Sequence, residues 1–185
     1  MTAGAELGSG TDLALLLERL AAGPQPWVLL IDGRSGAGKT VLARRLAAAL
    51  PGTTLVSLDD VYPGWDGLEA GSDAVPGIIR DGTWRRWDWV SDGPGEVASV
   101  ARTGSLIVEG CGAISRASRA LADHAWWLQL DDAERKRRAL ERDGDTYAPH
   151  WDRWAAQELA HDRSEHPREL ADLILGERDG AAGGR

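Results

Sequence analysis

The chain has 185 residues, of which 43% are hydrophobic, a size that suits one α/β domain and leaves no room for two. Its net charge of −8 disfavours nucleic acid as a partner, because such binding usually needs a basic surface. Apolar runs such as Trp27–Ile31 are at most five residues long, whereas a membrane span needs roughly 20. The single cysteine excludes an intrachain disulfide. We therefore expect a cytoplasmic monomer or homodimer that binds neither nucleic acid nor a membrane and has no secretion signal.

Apolar runs and helical patterns alternate along the chain between 11 and 175, which we interpret as one domain. They predict helices at 13–20, with Thr11 as the cap, and at 41–50, 132–142 and 150–161. They predict strands at 27–31, 54–58, 105–108, 125–130 and 171–175. Continuous apolar strands separated by helices are typical of a parallel sheet covered on both faces.

Three stretches have no clean period. Residues 1–10 and 176–185 lack apolar periodicity, and we expect both ends to be flexible. Residues 62–93 are rich in Gly, Pro, Asp and Trp, and an irregular stretch of that length is more often functional than a connector. We therefore expect 62–93 to be an insertion on the acceptor side of a binding site.

A glycine-rich segment follows the first predicted strand and opens a helix. Residues 33–40, here called the glycine loop, match G-x-x-x-x-G-K-[ST] in full. Glycines let backbone N–H groups surround a phosphate, and the positive end of the following helix favours it. Lys39 would reach the β- and γ-phosphates of ATP, while the Thr40 hydroxyl would hold Mg²⁺. The predicted nucleotide-binding residues of the loop are Gly33, Ser35, Gly36, Ala37, Gly38, Lys39 and Thr40.

Acidic residues end two of the predicted strands, where the ligand crevice of a parallel sheet lies. Asp59 and Asp60 follow 54–58, and Glu109 follows 105–108. Adjacent side chains at a strand end point in opposite directions, so only one of the two aspartates would face the phosphates. That aspartate would accept the proton of an attacking hydroxyl, and Glu109 would hold Mg²⁺ or steer the acceptor. The alternative is that each acid only caps the next helix in solvent.

An arginine-rich helix, with the segment that follows it, suggests a lid over 132–150. Arg135, Arg138 and Arg142 share one helical face, and guanidinium groups there would neutralise charge on a transferred phosphoryl group. Gly144 and Pro149 bracket a loop at 143–150 that would hinge the lid. A solvated helix of Glu–Arg pairs is the open alternative.

The tryptophan-rich stretches of 62–93 are the candidate acceptor site. Indole rings beside Arg and Asp suit a flat or hydroxylated small molecule. Packing of the indoles against the sheet is the alternative, and Trp126 and Trp127 we expect to be structural. The predicted acceptor-binding residues are Asp60, Tyr62, Arg85, Trp87 and Asp88.

In this order, the glycine loop, the 58–62 turn, Glu109 and Arg142-Asp143 resemble the uridine kinase-like branch of the P-loop kinases. That branch includes uridine–cytidine and nicotinamide riboside kinases and relatives of bacterial pantothenate kinase and phosphoribulokinase. The resemblance covers about 28–175. It implies a three-layer P-loop NTPase sandwich, with a five-stranded parallel sheet of order 2-3-1-4-5 flanked by helices, and a helical lid over ATP and Mg²⁺.

The resemblance also implies roles for single residues. Asp59 matches the catalytic base of a D-[SD]-[FV]-[FY] motif, and Glu109 matches an acidic residue that closes the third strand. Arg142 and, upstream of it, Arg138 match the lid arginines that contact the nucleotide. The His-Pro-Asp acceptor segment of uridine–cytidine kinases is missing, and 84–89 stands in its place.

Together these patterns predict an ATP-dependent phosphotransferase. It would move the γ-phosphoryl group of ATP to a hydroxyl group of a small polar, nucleoside- or vitamin-like acceptor, with Asp59, Lys39 and Arg142 as catalytic residues. One alternative is a nucleoside monophosphate kinase, in which Arg80, Arg85 and Arg86 would bind the acceptor phosphate. The other is a non-catalytic module that binds and senses ATP.

Overall fold

The structure, a computed structural model, describes residues 12–100 and 103–176. Its strands are β1 (Val28–Asp32), β2 (Thr54–Ser57), β3 (Thr83–Asp88), β4 (Gly93–Ser99), β5 (Leu106–Glu109), β6 (His124–Gln129) and β7 (Leu173–Gly176). Its helices are α1 (Leu13–Ala21), α2 (Lys39–Ala49), α3 (Leu68–Asp81), α4 (Arg116–Arg119), α5 (Asp132–Tyr147), α6 (Trp151–Glu165) and α7 (Pro167–Leu170). Asp12, rather than the predicted Thr11, caps α1 by accepting from Ala14 N at 2.9 Å.

Five strands form a parallel sheet in the spatial order β2-β5-β1-β6-β7. Numbered along the chain, these strands are 2-3-1-4-5, so the predicted α/β fold and strand order are confirmed. The register aligns Glu109 with both Ile31 and Ser57, which brings three strand ends to one edge. That edge is where a parallel sheet presents its ligand site.

Apolar side chains cover both faces of this sheet. On one face α1 and α2 bury Leu20, Leu42 and Leu46 against Ile31 and Trp126. The other face packs against α3 and α6, in a cluster that contains Leu30, Val56, Val75, Val108, Ile78 and Trp154. Burial on both faces explains why the strands are continuous apolar runs rather than alternating ones.

The stretch 62–93 is regular, so the expectation of irregular structure was wrong. It holds a short 3₁₀ turn (Gly64–Asp66), α3 and β3, and β3 pairs with β4 in an antiparallel two-stranded sheet. The apolar period of α3 is hidden by Gly71, Pro76 and Gly77, which in sequence indicate a break. Gly71 is required by packing, because a Cβ atom there would lie 2.4 Å from the ring of Tyr62.

The segment 143–150, which we predicted to be a loop that hinges the lid, is mostly helical, so that prediction was wrong. α5 continues to Tyr147, a 3₁₀ turn spans Ala148–His150, and α6 follows directly. The only non-helical residue inside α5 is Gly144, with φ 51° and ψ −132°. A positive φ of this kind favours glycine, so the bend is confined to that one position.

The expected flexible ends at 1–10 and 177–185 lie outside the described residues. Gly176, which we placed in the tail, is instead the last residue of β7, where it pairs with Gln129. Among the residues that the structure describes, no helix combines the length and apolar character needed to cross a bilayer.

Candidate functional site

A cavity of about 560 Å³ lies at the edge of the sheet where β1, β2 and β5 end. Its walls combine residues of the glycine loop, acids from the strand ends, the end of α5, and aromatic rings. The lining residues are Ser35, Gly36, Lys39, Thr40, Asp59, Tyr62, Trp65, Trp89, Glu109, Cys111, Arg142, Asp143, Thr146, Tyr147 and Trp154.

The glycine loop is shaped by backbone contacts that only glycine permits. Gly33 and Gly36 have φ values of 144° and 83°. A Cβ atom at Gly33 would lie 2.3 Å from the carbonyl oxygen of Leu128, and one at Gly36 would lie 2.1 Å from that of Arg135. Asp32 supports the loop from below, where its buried carboxylate accepts from Gly33 N at 2.6 Å. Burial raises the pKa of Asp32 to about 6, although backbone N–H groups oppose that shift.

Lys39 is buried beneath the loop and directed at its carbonyl groups. Its Nζ donates to Gly33 O at 2.7 Å, to Arg34 O at 3.3 Å and to Cys111 Sγ at 3.4 Å. Burial alone would lower the pKa of Lys39, but the nearby carboxylates of Glu109, Glu158 and Asp32 raise it. Lys39 is therefore a cation at neutral pH, held where an anion entering the cavity would meet it.

The oxygens of three side chains converge on the end of β5. Thr40 Oγ1 lies 3.1 and 3.2 Å from the two carboxylate oxygens of Glu109, and Ser57 Oγ donates to Glu109 Oε1 at 2.6 Å. Glu109 is 1% exposed, and burial raises its pKa above the ordinary value, although the hydrogen bond from Ser57 opposes this. Hydroxyl and carboxylate oxygens are the donors that Mg²⁺ prefers. Within 12–100 and 103–176, no group of three His, Cys, Asp or Glu side chains is placed to hold a metal ion by itself.

The two aspartates that follow β2 lie in a 3₁₀ turn, Leu58–Asp60, and differ in their surroundings. Both side chains are exposed, but only Asp59 lines the cavity. The Asp59 peptide is held in place because its carbonyl oxygen accepts from Trp89 Nε1 at 2.8 Å. The structure therefore brings Asp59, Lys39 and Glu109 together in one cavity.

The three α5 arginines predicted to share one face, Arg135, Arg138 and Arg142, have different partners. Arg135 is buried and donates to Ser35 O at 2.9 Å, so it packs against the glycine loop. Arg138 Nε donates to Glu134 Oε1 at 2.7 Å on the helix surface. Arg142 alone of the three lines the cavity, where its guanidinium pairs with Asp143.

Aromatic side chains form the remaining wall of the cavity, called here the aromatic wall: Trp65, Trp89, Tyr147 and Trp154, with Tyr62 beside them. Trp65 is at its centre, with its ring stacked on Tyr147 (centroids 5.3 Å apart) and on His150 (4.3 Å). The Trp89 ring lies 5.1 Å from that of Trp65. The wall thus joins the Gly64–Asp66 turn, the β3–β4 connection, the end of α5 and α6.

Structural comparison identifies the fold. A structure described as a possible uridine kinase from Bacillus stearothermophilus aligns with a TM-score of 0.63 and 17% identity over 89% of this chain and 97% of that one. Shikimate kinase from Acinetobacter baumannii aligns with a TM-score of 0.52 and 17% identity over 90% of each chain. The chain has the P-loop kinase fold.

A third structure with this fold is a candidate fructose transport system kinase from Silicibacter sp. TM1040. It aligns with a TM-score of 0.58 and 19% identity over 90% of this chain and 100% of that one. No protein-family model matches the chain, and no curated protein sequence matches it either. Within this fold, the glycine loop, Asp59 after β2 and Glu109 at the end of β5 line one cavity.

Most of the acceptor residues predicted from 62–93 lie outside this cavity. Arg85 donates to Gly95 O at 2.9 Å, and Asp88 binds Ser91 within its own turn. Trp87 is half-buried against Gly64, and neither it nor Asp60 lines the cavity. Only Tyr62 does, with its hydroxyl donating to Cys111 O at 2.8 Å.

The residues that sequence reasoning missed are Trp65, Trp89, Tyr147 and Trp154 of the aromatic wall, Ser57, and Glu158 behind the loop. A signal existed for Glu158, because it follows Trp151 and Trp154 at helical spacing and so falls on an apolar face. Cys111 is buried, and burial raises its pKa to about 12, so the thiol stays neutral at neutral pH.

Proposed function

We propose that this protein is an ATP-dependent phosphotransferase that moves the γ-phosphoryl group of ATP to a hydroxyl group of a small, uncharged or cationic acceptor. The observation that carries this proposal is the single cavity that joins the glycine loop, Asp59 and the aromatic wall. Phosphoryl transfer needs positioning and charge compensation more than covalent help from the protein, and this cavity offers both.

Asp59 would act on the acceptor. As the acceptor oxygen bonds to the γ-phosphorus, the bond from that phosphorus to the β–γ bridging oxygen breaks, and ADP leaves with the electron pair. Asp59 accepts the proton that the acceptor hydroxyl loses, which requires a carboxylate open to the cavity, and the exposed Asp59 side chain meets that requirement.

The cations of the site would stabilise the transferred group. Lys39 exchanges its bonds to Gly33 O and Arg34 O for phosphate oxygens, and Arg142 approaches from the lid. Thr40, Ser57 and Glu109 would hold Mg²⁺, which when bound supplies positive charge that offsets the charge of the phosphates.

The charge balance of the cavity supports an acceptor without a phosphate of its own. Lys39 and Arg142 are its basic lining residues, against the acids Asp59, Glu109 and Asp143. Bound nucleotide would engage both cations, leaving none for an acceptor anion. Arg80, Arg85 and Arg86, which a monophosphate kinase would use, do not line the cavity. The aromatic wall favours flat, nucleoside- or vitamin-like acceptors.

The experiment compares Asp59→Asn with Asp60→Asn, two neighbouring carboxylates of which only the first lines the cavity. A panel of nucleosides, vitamins, sugars and nucleoside monophosphates is screened first for phosphate transfer from labelled ATP. We expect Asp59→Asn to abolish transfer and to leave the calorimetric Kd for MgATP within about threefold, because the proton acceptor is lost but the loop is intact.

Asp60→Asn is expected to retain transfer. Near-wild-type transfer by Asp59→Asn would refute the assigned base. MgATP binding with no transfer to any compound would favour the non-catalytic sensing module, and transfer to monophosphates alone would favour the monophosphate kinase.

A further inference from the structure

Glu158 is a buried acid that the proposed reaction does not use. It lies on α6, its side chain is 3% exposed, and it does not line the cavity. It follows Trp154 by one helical turn and so faces the interior with that ring. Acids are rarely buried unless they have partners, so its partners indicate its purpose.

The partners of Glu158 belong to the glycine loop and its surroundings. Glu158 Oε1 accepts from the backbone N–H of Ser35 at 2.6 Å and lies 3.3 Å from Cys111 Sγ. Glu158 Oε2 accepts from Arg34 Nε at 3.3 Å, and that guanidinium is itself four-fifths buried. Two consecutive residues of the loop are therefore held by one carboxylate.

These contacts approach the loop from outside the cavity. Ser35 directly precedes Gly36, whose positive φ of 83° is a backbone conformation from which phosphate-binding nests are built. Because Glu158 binds the loop from behind, it fixes the loop without occupying the space that phosphates would fill. Without that carboxylate, the Ser35 N–H would lose its partner and the Arg34 guanidinium would keep only its contact with Asp132 at 3.4 Å, which is unfavourable.

The neighbouring residue on α6 reaches the other side of the cavity. Gln157 Nε2 donates to Trp65 O at 2.7 Å, and Gln157 Oε1 accepts from Leu68 N at 3.3 Å. One turn of α6 thus holds both the glycine loop and the turn that carries Trp65. The helix sets the spacing between the two ends of the cavity.

We propose that Glu158 is a positioning residue, which holds the glycine loop in its nucleotide-binding shape before nucleotide arrives. This inference rests on the proposed function in one respect, that the loop binds MgATP. It adds that the affinity for MgATP depends on a carboxylate that touches neither nucleotide nor acceptor.

The test is Glu158→Gln, which keeps the shape of the side chain and removes its charge. The matched control is Glu165→Gln on the same helix, whose carboxylate also accepts from a backbone N–H (Arg116 N, 2.8 Å) and pairs with an arginine, far from the loop. We expect the calorimetric Kd for MgATP to rise roughly ten- to a hundredfold in Glu158→Gln and to stay unchanged in Glu165→Gln.

Thermal unfolding of both variants separates affinity from stability. If the carboxylate only stabilised the fold, its removal would lower the unfolding midpoint, and the folded protein would bind MgATP with an unchanged Kd. An unchanged Kd in Glu158→Gln, or an equal rise in Glu165→Gln, would overturn the proposal. A wild-type protein that binds no MgATP would instead refute the proposed function, and this inference with it.

A second measurement needs no variant. In the nucleotide-free wild-type protein, hydrogen exchange followed by NMR is expected to find the Ser35 amide protected at least tenfold relative to an unstructured peptide, because its partner is the buried Glu158. An unprotected Ser35 amide would contradict the proposal even if Glu158→Gln fails to fold.

Discussion

The two ends of the cavity are built differently, one mainly from backbone and the other from side chains. The donor end, the glycine loop, is one contiguous segment shaped by its backbone and by buried charges beneath it, Lys39 and Asp32. The acceptor end, the aromatic wall, is assembled from side chains of four separate segments: the turn with Trp65, the β3–β4 connection with Trp89, the end of α5 with Tyr147, and α6 with Trp154.

This difference separates the part of the site that tolerates few substitutions, the glycine loop, from the part that can vary, the aromatic wall. Under the proposed function, the glycine loop binds phosphate whatever the acceptor is, and it tolerates few substitutions because its glycines adopt positive φ values that would strain other residues. Rings on separate elements can be exchanged one at a time, and each exchange changes the shape offered to an acceptor. Under the proposed function, the donor end would define the chemistry of the site and the acceptor end its specificity.

The largest effect is expected from Gly36→Ala at the donor end. Its Cβ atom would lie 2.1 Å from Arg135 O, a backbone atom of α5, so the loop or the helix must move. We expect the affinity for MgATP, measured by calorimetry, to fall by more than about a hundredfold, since displaced N–H groups no longer converge on phosphate.

Gly52→Ala is the matched control for Gly36→Ala. Gly52 has the same φ of 83°, but a Cβ atom there meets nothing within 4 Å. The control therefore introduces only backbone strain, which should lower the free energy of unfolding by about 1–2 kcal/mol. Its affinity for MgATP should equal that of the wild-type protein. A Gly36→Ala variant that binds MgATP as tightly as Gly52→Ala would show that the contact with α5 does not set the shape of the loop.

The donor end could be predicted from sequence because its signal is local. The motif at 33–40, the apolar strand before it and the helix after it lie within about twenty residues, and the parallel-sheet rule placed Asp59 and Glu109 at the same edge. The strand order followed from the resemblance to P-loop kinases, and the structure confirms it.

The acceptor end could not be predicted because its signal is tertiary. Trp65 and Tyr147 are 82 positions apart, and their stacking depends on α5 continuing to Tyr147 past Gly144, where we expected a loop. Likewise, Trp87 and Trp89 are two residues apart, yet only Trp89 lines the cavity, since β3 has ended at Asp88 and the chain turns there. Residue type alone does not reveal such turns.

A smaller effect is expected from Trp65→Ala at the acceptor end. Loss of its stacking contacts should raise the KM for the acceptor about tenfold, corresponding to roughly 1.4 kcal/mol, and should leave the Kd for MgATP unchanged. Steady-state kinetics with the acceptor found by the screen, beside MgATP calorimetry, measure the two ends separately.

Trp65→Phe keeps an aromatic face at that position and should restore most of the acceptor affinity. If Trp65→Ala weakens MgATP binding as much as acceptor binding, the two ends are not independent, and the contrast between them fails.

The smallest effect is expected from the double substitution Arg85→Gln and Arg86→Gln on β3. Both side chains are exposed; Arg85 binds Gly95 O, and Arg86 forms a surface ion pair with Glu96 at 3.2 Å. Exposed pairs of this kind contribute about 0–1 kcal/mol, so the unfolding midpoint should hardly move. Because neither side chain lines the cavity, the acceptor KM should stay within about twofold of wild type, as steady-state kinetics would measure. A tenfold rise in that KM would mean that the β3–β4 sheet folds over the site and binds an acceptor anion. The acceptor end would then extend beyond the aromatic wall, and the result would favour a nucleoside monophosphate kinase.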